Sequence, residues 1–433
     1  MTTQNFPPPT GTPQRTASGS TTGQTVDATS ARDVGRRFLI PSATGLRLSR
    51  TLAALACLIA GAVGAWVLTT TSASLESINR GTQQMLRLQQ IKGDVLRADG
   101  LATNGLAQGT AATAMTDYTD ALKEASRLTV EASLAMPTDQ NDLMAVNAGL
   151  LNYALTMERA RTAYPKDNTA GLGYTADAGT ALVGDTVPAL DELISDNGKR
   201  VDAARASDRL WAAGLALVPV VLLLLLSLWL ARRTKRAVNL GVLIALAASV
   251  VLWRLVDVNL VQSAAVVDSA RAGTLQSATA AATAYSKLAE AKSIEGRSLL
   301  QPTDIVANET TWLTAMNEVN ASVKKIGDAQ ASTAGLVSAY SSAHASLANL
   351  LKENKVTAAK QAAASTTSGV NPSYEAASDA LSKTFSEAKT ATATGMTQQQ
   401  DGLRIASGIA VLLGVLGAAA SWIGISQRIR EYR

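Results

Sequence analysis

Few side chains in this 433-residue chain could carry covalent or acid–base chemistry. The one cysteine, Cys57, lies inside an apolar run, and the one histidine is His344. A single thiol allows no disulfide within the chain, no CxxC pair and no thiolate metal site. So short a supply of Cys and His also removes most nucleophilic, zinc and acid–base catalysis. The expectation is therefore a protein that is not an enzyme, with no catalytic residue, metal or cofactor. Charge and hydrogen bonding remain. Arg232, Arg233, Lys235 and Arg236 put four cations into five positions. Arg97 and Arg297 lie on long helical stretches, where they could capture a small-molecule ligand between facing helices or simply be paired surface residues. Lys166, Asp167 and Asn168 in one connection, and Gln301, Asp304 and Asn371 in others, offer charge and hydrogen bonds to a docking partner. As loop residues they read equally well as solvated turns.

The elements that position these residues follow from the apolar runs. The basic cluster separates an uncharged run of 22 residues (210–231) from one of 17 (237–253). A helix of about 20 apolar residues spans a bilayer's hydrocarbon core, and a short cationic loop stays on the cytoplasmic side. This predicts a membrane hairpin with its turn, 232–236, inside the cell. Further uncharged runs occur at 51–75 and 405–427. The expected order is a cytoplasmic arm over 1–48, rich in Pro, Ser, Thr, Gly and Gln and therefore disordered; a first span at 51–72; an extracytoplasmic segment at 73–208; and a second span at 210–231. A third span (237–256), a second extracytoplasmic segment (257–402), a fourth span (404–427) and a basic cytoplasmic tail (428–433) follow.

Charge agrees with this reading. Residues 73–208 carry 12 bases against 18 acids and 257–402 carry 11 against 13, whereas 1–50 carry six Arg against two acids. The net charge of +5 is thus a topology signal, with cations inside, and nucleic acid is not an expected partner. Trp66, Trp211 and Trp253 fall at expected outer boundaries, and Trp229 and Trp422 at inner ones, where indole prefers the headgroup zone. The spans hold no charge at mid-depth; Arg254 sits at an outer edge, three residues before Asp257, where it can snorkel or pair. A transporter would usually carry polar or broken spans, and Pro219 is the one irregularity.

Between spans the pattern is helical. Leu75, Ile78, Thr82, Met85, Leu88, Ile91, Val95, Ala98 and Ala102 recur in steps of three and four and mark one stripe of a long helix. Gly and Pro punctuation predicts pieces at 72–108, 110–135, 139–163 and 174–208, with Pro188 kinking or splitting the last. In the second half a long segment over 258–300 stops at Pro302. Helices to about 327 and about 364 follow, then a loop over 365–372 and a final helix from 373. Faint echoes suggest a duplication: Tyr118-x-x-Ala121-Leu122-x-Glu124 resembles Trp312-x-x-Ala315-Met316-x-Glu318, 194 residues on.

Each extracytoplasmic segment must start and finish at the same membrane face, which calls for an antiparallel four-helix bundle. The expected fold class is an all-α membrane protein with four transmembrane helices and two tandem bundles of this kind. Its form resembles the four-helix-bundle sensor domains of bacterial chemoreceptors and histidine kinases. Two readings stand: a sensor whose helices pass a sliding or tilting change across the membrane, or a rigid stalk that is structural or scaffolding. The inner turn of five residues and tail of six hold no kinase or cyclase, so a signal would have to be handed to another protein. Arg232, Arg233, Lys235 and Arg236 would then be a docking point, or else an anchor to anionic membrane lipid.

The four runs, the tandem helical segments, the Ser/Thr/Pro-rich start and the ending Gln427-Arg428-Ile429-Arg430-Glu431-Tyr432-Arg433 together resemble the GlnX family of actinobacterial membrane sensors. That resemblance implies receipt of amino-acid availability from an extracytoplasmic solute-binding lipoprotein of the GlnH type. It also implies relay to a cytoplasmic serine/threonine kinase, protein kinase G. It transfers no site residue. A homo-oligomer is compatible with the same architecture.

Overall fold

The computed structural model describes residues 43–109, 113–205, 209–234 and 240–431, and among these there is no strand. The helices are α1 (Ala43–Gln108), α2 (Thr113–Ala135), α3 (Gln140–Ala163), α4 (Asn168–Ala181), α5 (Val187–Arg205), α6 (Arg209–Thr234), α7 (Leu240–Ala272), α8 (Thr274–Leu300), α9 (Ile305–Val323), α10 (Gln330–Lys352), α11 (Val356–Ala363) and α12 (Val370–Glu431). The protein is all-α.

Most boundaries have a local cause. Gly109 and Gly327 adopt φ of +64° and +70°, a left-handed backbone that costs glycine least. Pro137 and Pro302 each open a short 3₁₀ turn before α3 and α9. A π-helical turn, Leu182–Thr186, separates α4 from α5, so the irregularity at Pro188 precedes the proline.

Four boundaries differ from the sequence expectation. Helix α4 begins at Asn168 rather than 174, because the Asp167 carboxylate accepts the Ala170 N–H at 3.1 Å and caps it. Gly171, which reads as a loop signal, instead packs on Tyr164, whose Cα would lie 2.5 Å from an added Cβ. The segment expected over 258–300 is broken at Gly273, where φ is −117° and ψ −96°. The helix expected to run to about 364 ends at Lys352 and resumes at Val356 after Asn354, whose φ is +58°. Helix α12 starts at Val370, just after Gly369 at φ +94°.

Three described helices are long and apolar enough to cross a membrane: the stretches Arg47–Gln108, Leu240–Leu300 and Val370–Gln427 contain them. Helix α6 carries a shorter apolar stretch, Leu217–Trp229, so three candidate spans rather than four stand out. The apolar parts of α1, α6, α7 and α12 share a core around Ala53, Cys57, Leu223, Ala245 and Ile425. Their outer sides expose Leu55, Ile59, Leu225, Val251 and Leu412. A band of this kind is costly in water and is matched by hydrocarbon.

Helices α1 and α12 run antiparallel against each other for nearly their whole lengths, 66 and 62 residues, or roughly 95–100 Å at the α-helical rise. At one end Arg50 donates to Ser426 Oγ at 3.2 Å and lies 3.8 Å from the Trp422 ring centre. Further along, an added Cβ on Gly61 would come within 2.9 Å of Gly414 Cα, so the two backbones touch; small residues allow such approach between apolar helices. Lys389 donates to Gln90 at 3.2 Å and Arg97 pairs with Glu375 at 3.1 Å. The pairing places the first and last apolar stretches side by side, a contact that the tandem reading did not anticipate.

Beyond the apolar end lie two cores. One joins Leu88, Ile91 and Val95 of α1 to Leu128 of α2, Tyr153 of α3, Leu182 of the π turn and Leu190 of α5. The other gathers α8, α9, α10, α11 and α12 around Leu288, Trp312, Tyr340 and Tyr374, and takes in Leu86 and Ala107 of α1. Helix α1 therefore serves both.

Candidate functional site

The seam between these two helix groups is formed by α1 and α8, which run parallel at a sequence offset close to 190. Glycines set their spacing. An added Cβ on Gly93 would meet Tyr285 Cδ1 at 2.4 Å, and one on Gly296 would meet Thr103 Oγ1 at 2.8 Å and the Asn104 backbone N at 2.9 Å. Asn104 Nδ2 donates across the seam to the Lys292 carbonyl at 2.7 Å. The one face foreseen for α1 is buried at Leu75, Ile78, Thr82, Leu88, Ile91, Val95 and Ala98, and Leu86, Asp94, Asp99 and Thr103 on its other sides are buried as well.

Three carboxylates lie inside this packing. Asp94 Oδ1 accepts the Tyr285 phenol at 3.2 Å, while its Oδ2 has no hydrogen-bond partner. Burial pushes this carboxyl up to about 7, against the Tyr285 hydrogen bond. Asp99, 1% exposed, accepts Tyr153 of α3 at 3.0 Å, the Ser293 hydroxyl, and Arg297 at 3.1 Å. Its partners thus come from both groups. Glu295 is fully buried with Lys292, whose ammonium reaches it at 2.6 Å. Tyr340 donates to Glu295 at 3.3 Å, and His344 Nδ1 lies 3.0 Å away. Burial alone would raise the Glu295 pKa, but Lys292 and His344 outweigh it and hold the carboxyl below its usual range. His344 also sits 3.4 Å from Glu309 and stacks on Trp312 at 3.7 Å between ring centres. Burial would lower its pKa, yet the two carboxylates raise it, so it holds its proton more tightly than a free imidazole.

These charges on helix interiors can position elements and store sensitivity to packing. A buried carboxylate is costly unless every lone pair is engaged, so a small shift of α8 against α1 would leave Asp99 under-bonded. Among the described residues no three His, Cys, Asp or Glu side chains stand together as a metal site.

The residues singled out by sequence are distributed as follows. Arg97 and Arg297 are both paired, with Glu375 and Asp99, and both stand at the seam. Arg297 and Gln301 line one side of a cleft of about 450 Å³ whose other wall is Thr175, Gly179 and Val183 of the first group. Gln301 is exposed and caps the end of α8 through its backbone N–H. Asn371 accepts from Lys292 Nζ at 2.6 Å and donates to the Ala363 carbonyl, so it is committed internally. Asp167 is the cap of α4, Lys166 and Asn168 flank it exposed, and Asp304 is exposed before α9 without making a side-chain cap. Arg232 is exposed near the end of α6, Arg233 follows it on the same helix, and Lys235 and Arg236 lie outside the described residues, as do residues 1–42 of the expected arm; its last six residues, 43–48, are helical and belong to α1 rather than to a disordered segment. The structure brings Arg297 and Gln301 together and leaves the other candidates apart.

Sequence reasoning missed Asp94, Asp99, Lys292 and Glu295. A usable signal was present around the last two: Ala289, Ala291, Ser293 and Gly296 surround them with small residues, as a helix approached from several sides requires.

No curated protein and no solved structure matches the chain. Residues 74–206, from α1 beyond its apolar stretch to the end of α5, match the family model described as the actinobacterial sensor domain, which supports reading the chain as an actinobacterial sensor protein.

Proposed function

We propose that the chain is a four-span transmembrane signal transducer. In this reading it takes extracytoplasmic nutrient status, amino-acid availability in particular, from a solute-binding lipoprotein and relays it to a cytoplasmic serine/threonine kinase. The two helix groups are its extracytoplasmic antiparallel bundles, both termini are cytoplasmic, and the protein is not an enzyme. The observation that carries the reading is the α1–α12 pair: two helices leave the apolar region, run through the seam of buried charge, and return without interruption. A displacement at the seam therefore has a direct path to the apolar end. The sensor-domain match over 74–206 supports the same role.

The cleft at Arg297 and Gln301, with the exposed turn Lys166-Asp167-Asn168 at the same end of the first group, is where a lipoprotein would dock. Arg232 and its basic neighbours would meet membrane lipid or the kinase.

Spin labels at Ser77→Cys and Ser386→Cys in a Cys57→Ala background test the relay. Adding amino-acid-loaded lipoprotein to the full chain in nanodiscs should change the α1–α12 label distance by about 1–2 Å, the scale of helix shifts in signalling proteins. An unchanged distance, with neither lipoprotein nor kinase recovered on mild-detergent purification, would instead support a structural or scaffolding envelope protein.

A further inference from the structure

The two helix groups place equivalent residues in equivalent positions, and one such position is filled while the other is open. Asp99 on the first long helix is bonded by Tyr153, and Glu295, 196 residues later, is bonded by Tyr340 in the same way. One turn beyond each tyrosine stand Met157 and His344. On the preceding helices stand Tyr118 and Trp312, the pair already aligned by the sequence echo. In the second group Trp312 lies flat on His344, at 3.7 Å and 6° between planes, and both are buried. In the first group the corresponding Tyr118 and Met157 both line a cavity of about 520 Å³, which Leu101, Leu106, Met115 and Tyr164 also border.

That volume falls within the range of small-molecule sites. The cavity's lining is dominated by apolar side chains, which suits a mainly apolar guest. Its polar groups define the rest. Arg161 is held by both oxygens of Glu158, at 2.6 and 2.8 Å, so the charge at the rim is already balanced. Burial, with the nearby Glu158 charge, raises the Tyr118 phenol well above its ordinary range, which keeps it a hydrogen-bond donor. Leu101, Ala102 and Gly105 reach the cavity from the same turns of α1 whose other side, at Gly100, Thr103 and Asn104, packs on α8.

We propose that this cavity binds a neutral, mainly apolar molecule with an aromatic ring and one hydrogen-bond acceptor, seated between Tyr118 and Met157, where in the second group Trp312 closes on His344. Its coupling to the seam through α1 rests on the relay reading above; the binding itself does not.

The test uses the full chain in nanodiscs with ¹³C-methyl methionine and quinoline, a neutral aromatic with one acceptor nitrogen, as the probe. Quinoline should shift the Met115 and Met157 methyl resonances saturably, and leave Met316, buried in the second core, unmoved. Met157→Trp on α3, and independently Ala102→Phe on α1, should weaken the response at least tenfold. Absence of a saturable shift at Met115 and Met157 overturns the proposal. So does a linear shift of all eight methionines, which reports partition into lipid, or a response unchanged in both filled variants. Saturable binding that leaves the α1–α12 label distance unchanged would keep the site and remove the relay.

Discussion

The two buried acids Asp99 and Glu295 occupy matching places on matching helices, yet they are satisfied by different means. Glu295 finds Lys292, His344 and Tyr340 within its own helix group. Asp99 has one partner at home, Tyr153, and draws Ser293 and Arg297 from the other group. Glu295 is thus satisfied inside the second group, beside a packed aromatic core, whereas Asp99 depends on the neighbouring group and the first group keeps an open cavity. The sensor-domain match falls on the first group, the one whose buried acid relies on its neighbour.

The comparison breaks most visibly at Glu295. Glu295→Ala leaves Lys292, only 2% exposed, as an uncompensated buried charge, and should cost about 3–5 kcal/mol. Thermal unfolding followed by circular dichroism should show the loss throughout the second group. Asp99→Ala should cost less, about 1–3 kcal/mol, because Arg297 is 40% exposed and can turn to water. Hydrogen exchange should then rise along the α1–α8 seam while the second core stays protected. Equal losses, equally distributed, would remove the distinction between the halves.

Titration sharpens it. Asp94 is raised from 3.8 to about 7 in the folded protein, so the native state holds more protons than the unfolded chain across that interval. The stability of the seam should therefore fall as pH rises from about 4 to 7, and Asp94→Asn should abolish the fall. His344 is raised above 6.5; its contribution is complete below that value and is lost as pH climbs through the higher folded-state value. His344→Gln should flatten the alkaline side alone. Denaturant midpoints measured across pH for both variants separate the two windows. The smallest effect belongs to Asp167→Ala, which removes the cap of α4 and should cost about 1 kcal/mol, read as faster exchange in the first turn of that helix. No change there would mean that packing of Gly171 on Tyr164, rather than the cap, starts the helix.

Much of the secondary structure was legible in advance. The stripe from Leu75 to Ala98 marked one face of α1, the Pro-containing turns marked the starts of α3 and α9, and uncharged runs marked the apolar stretches. Local physics controls these features: apolar periodicity, missing N–H groups, and backbone angles that few residues accept. The breaks at Gly273 and Asn354 were missed because single Gly and Asn residues are compatible with a continuing helix. Gly171 was misread in the opposite direction. It is needed for contact with Tyr164, which no local rule announces.

The site was much less legible. Lys292, Glu295, Asp94 and Asp99 have the composition of solvated helix positions, and only the neighbour that arrives decides whether they are solvated. The sequence by itself determined that this chain is helical, where its apolar stretches lie, and that it holds a single cysteine and a single histidine, because each of these depends on residue type and short-range spacing. Tertiary structure alone decided that α1 pairs with α12 rather than only with its own group, that Asp94, Asp99, Lys292 and Glu295 are buried, and that Trp312 stacks on His344 while Tyr118 and Met157 line a cavity. Those outcomes depend on which surfaces meet across nearly 200 residues of chain or more, and the free energy of burying a charge is set by the partners found there.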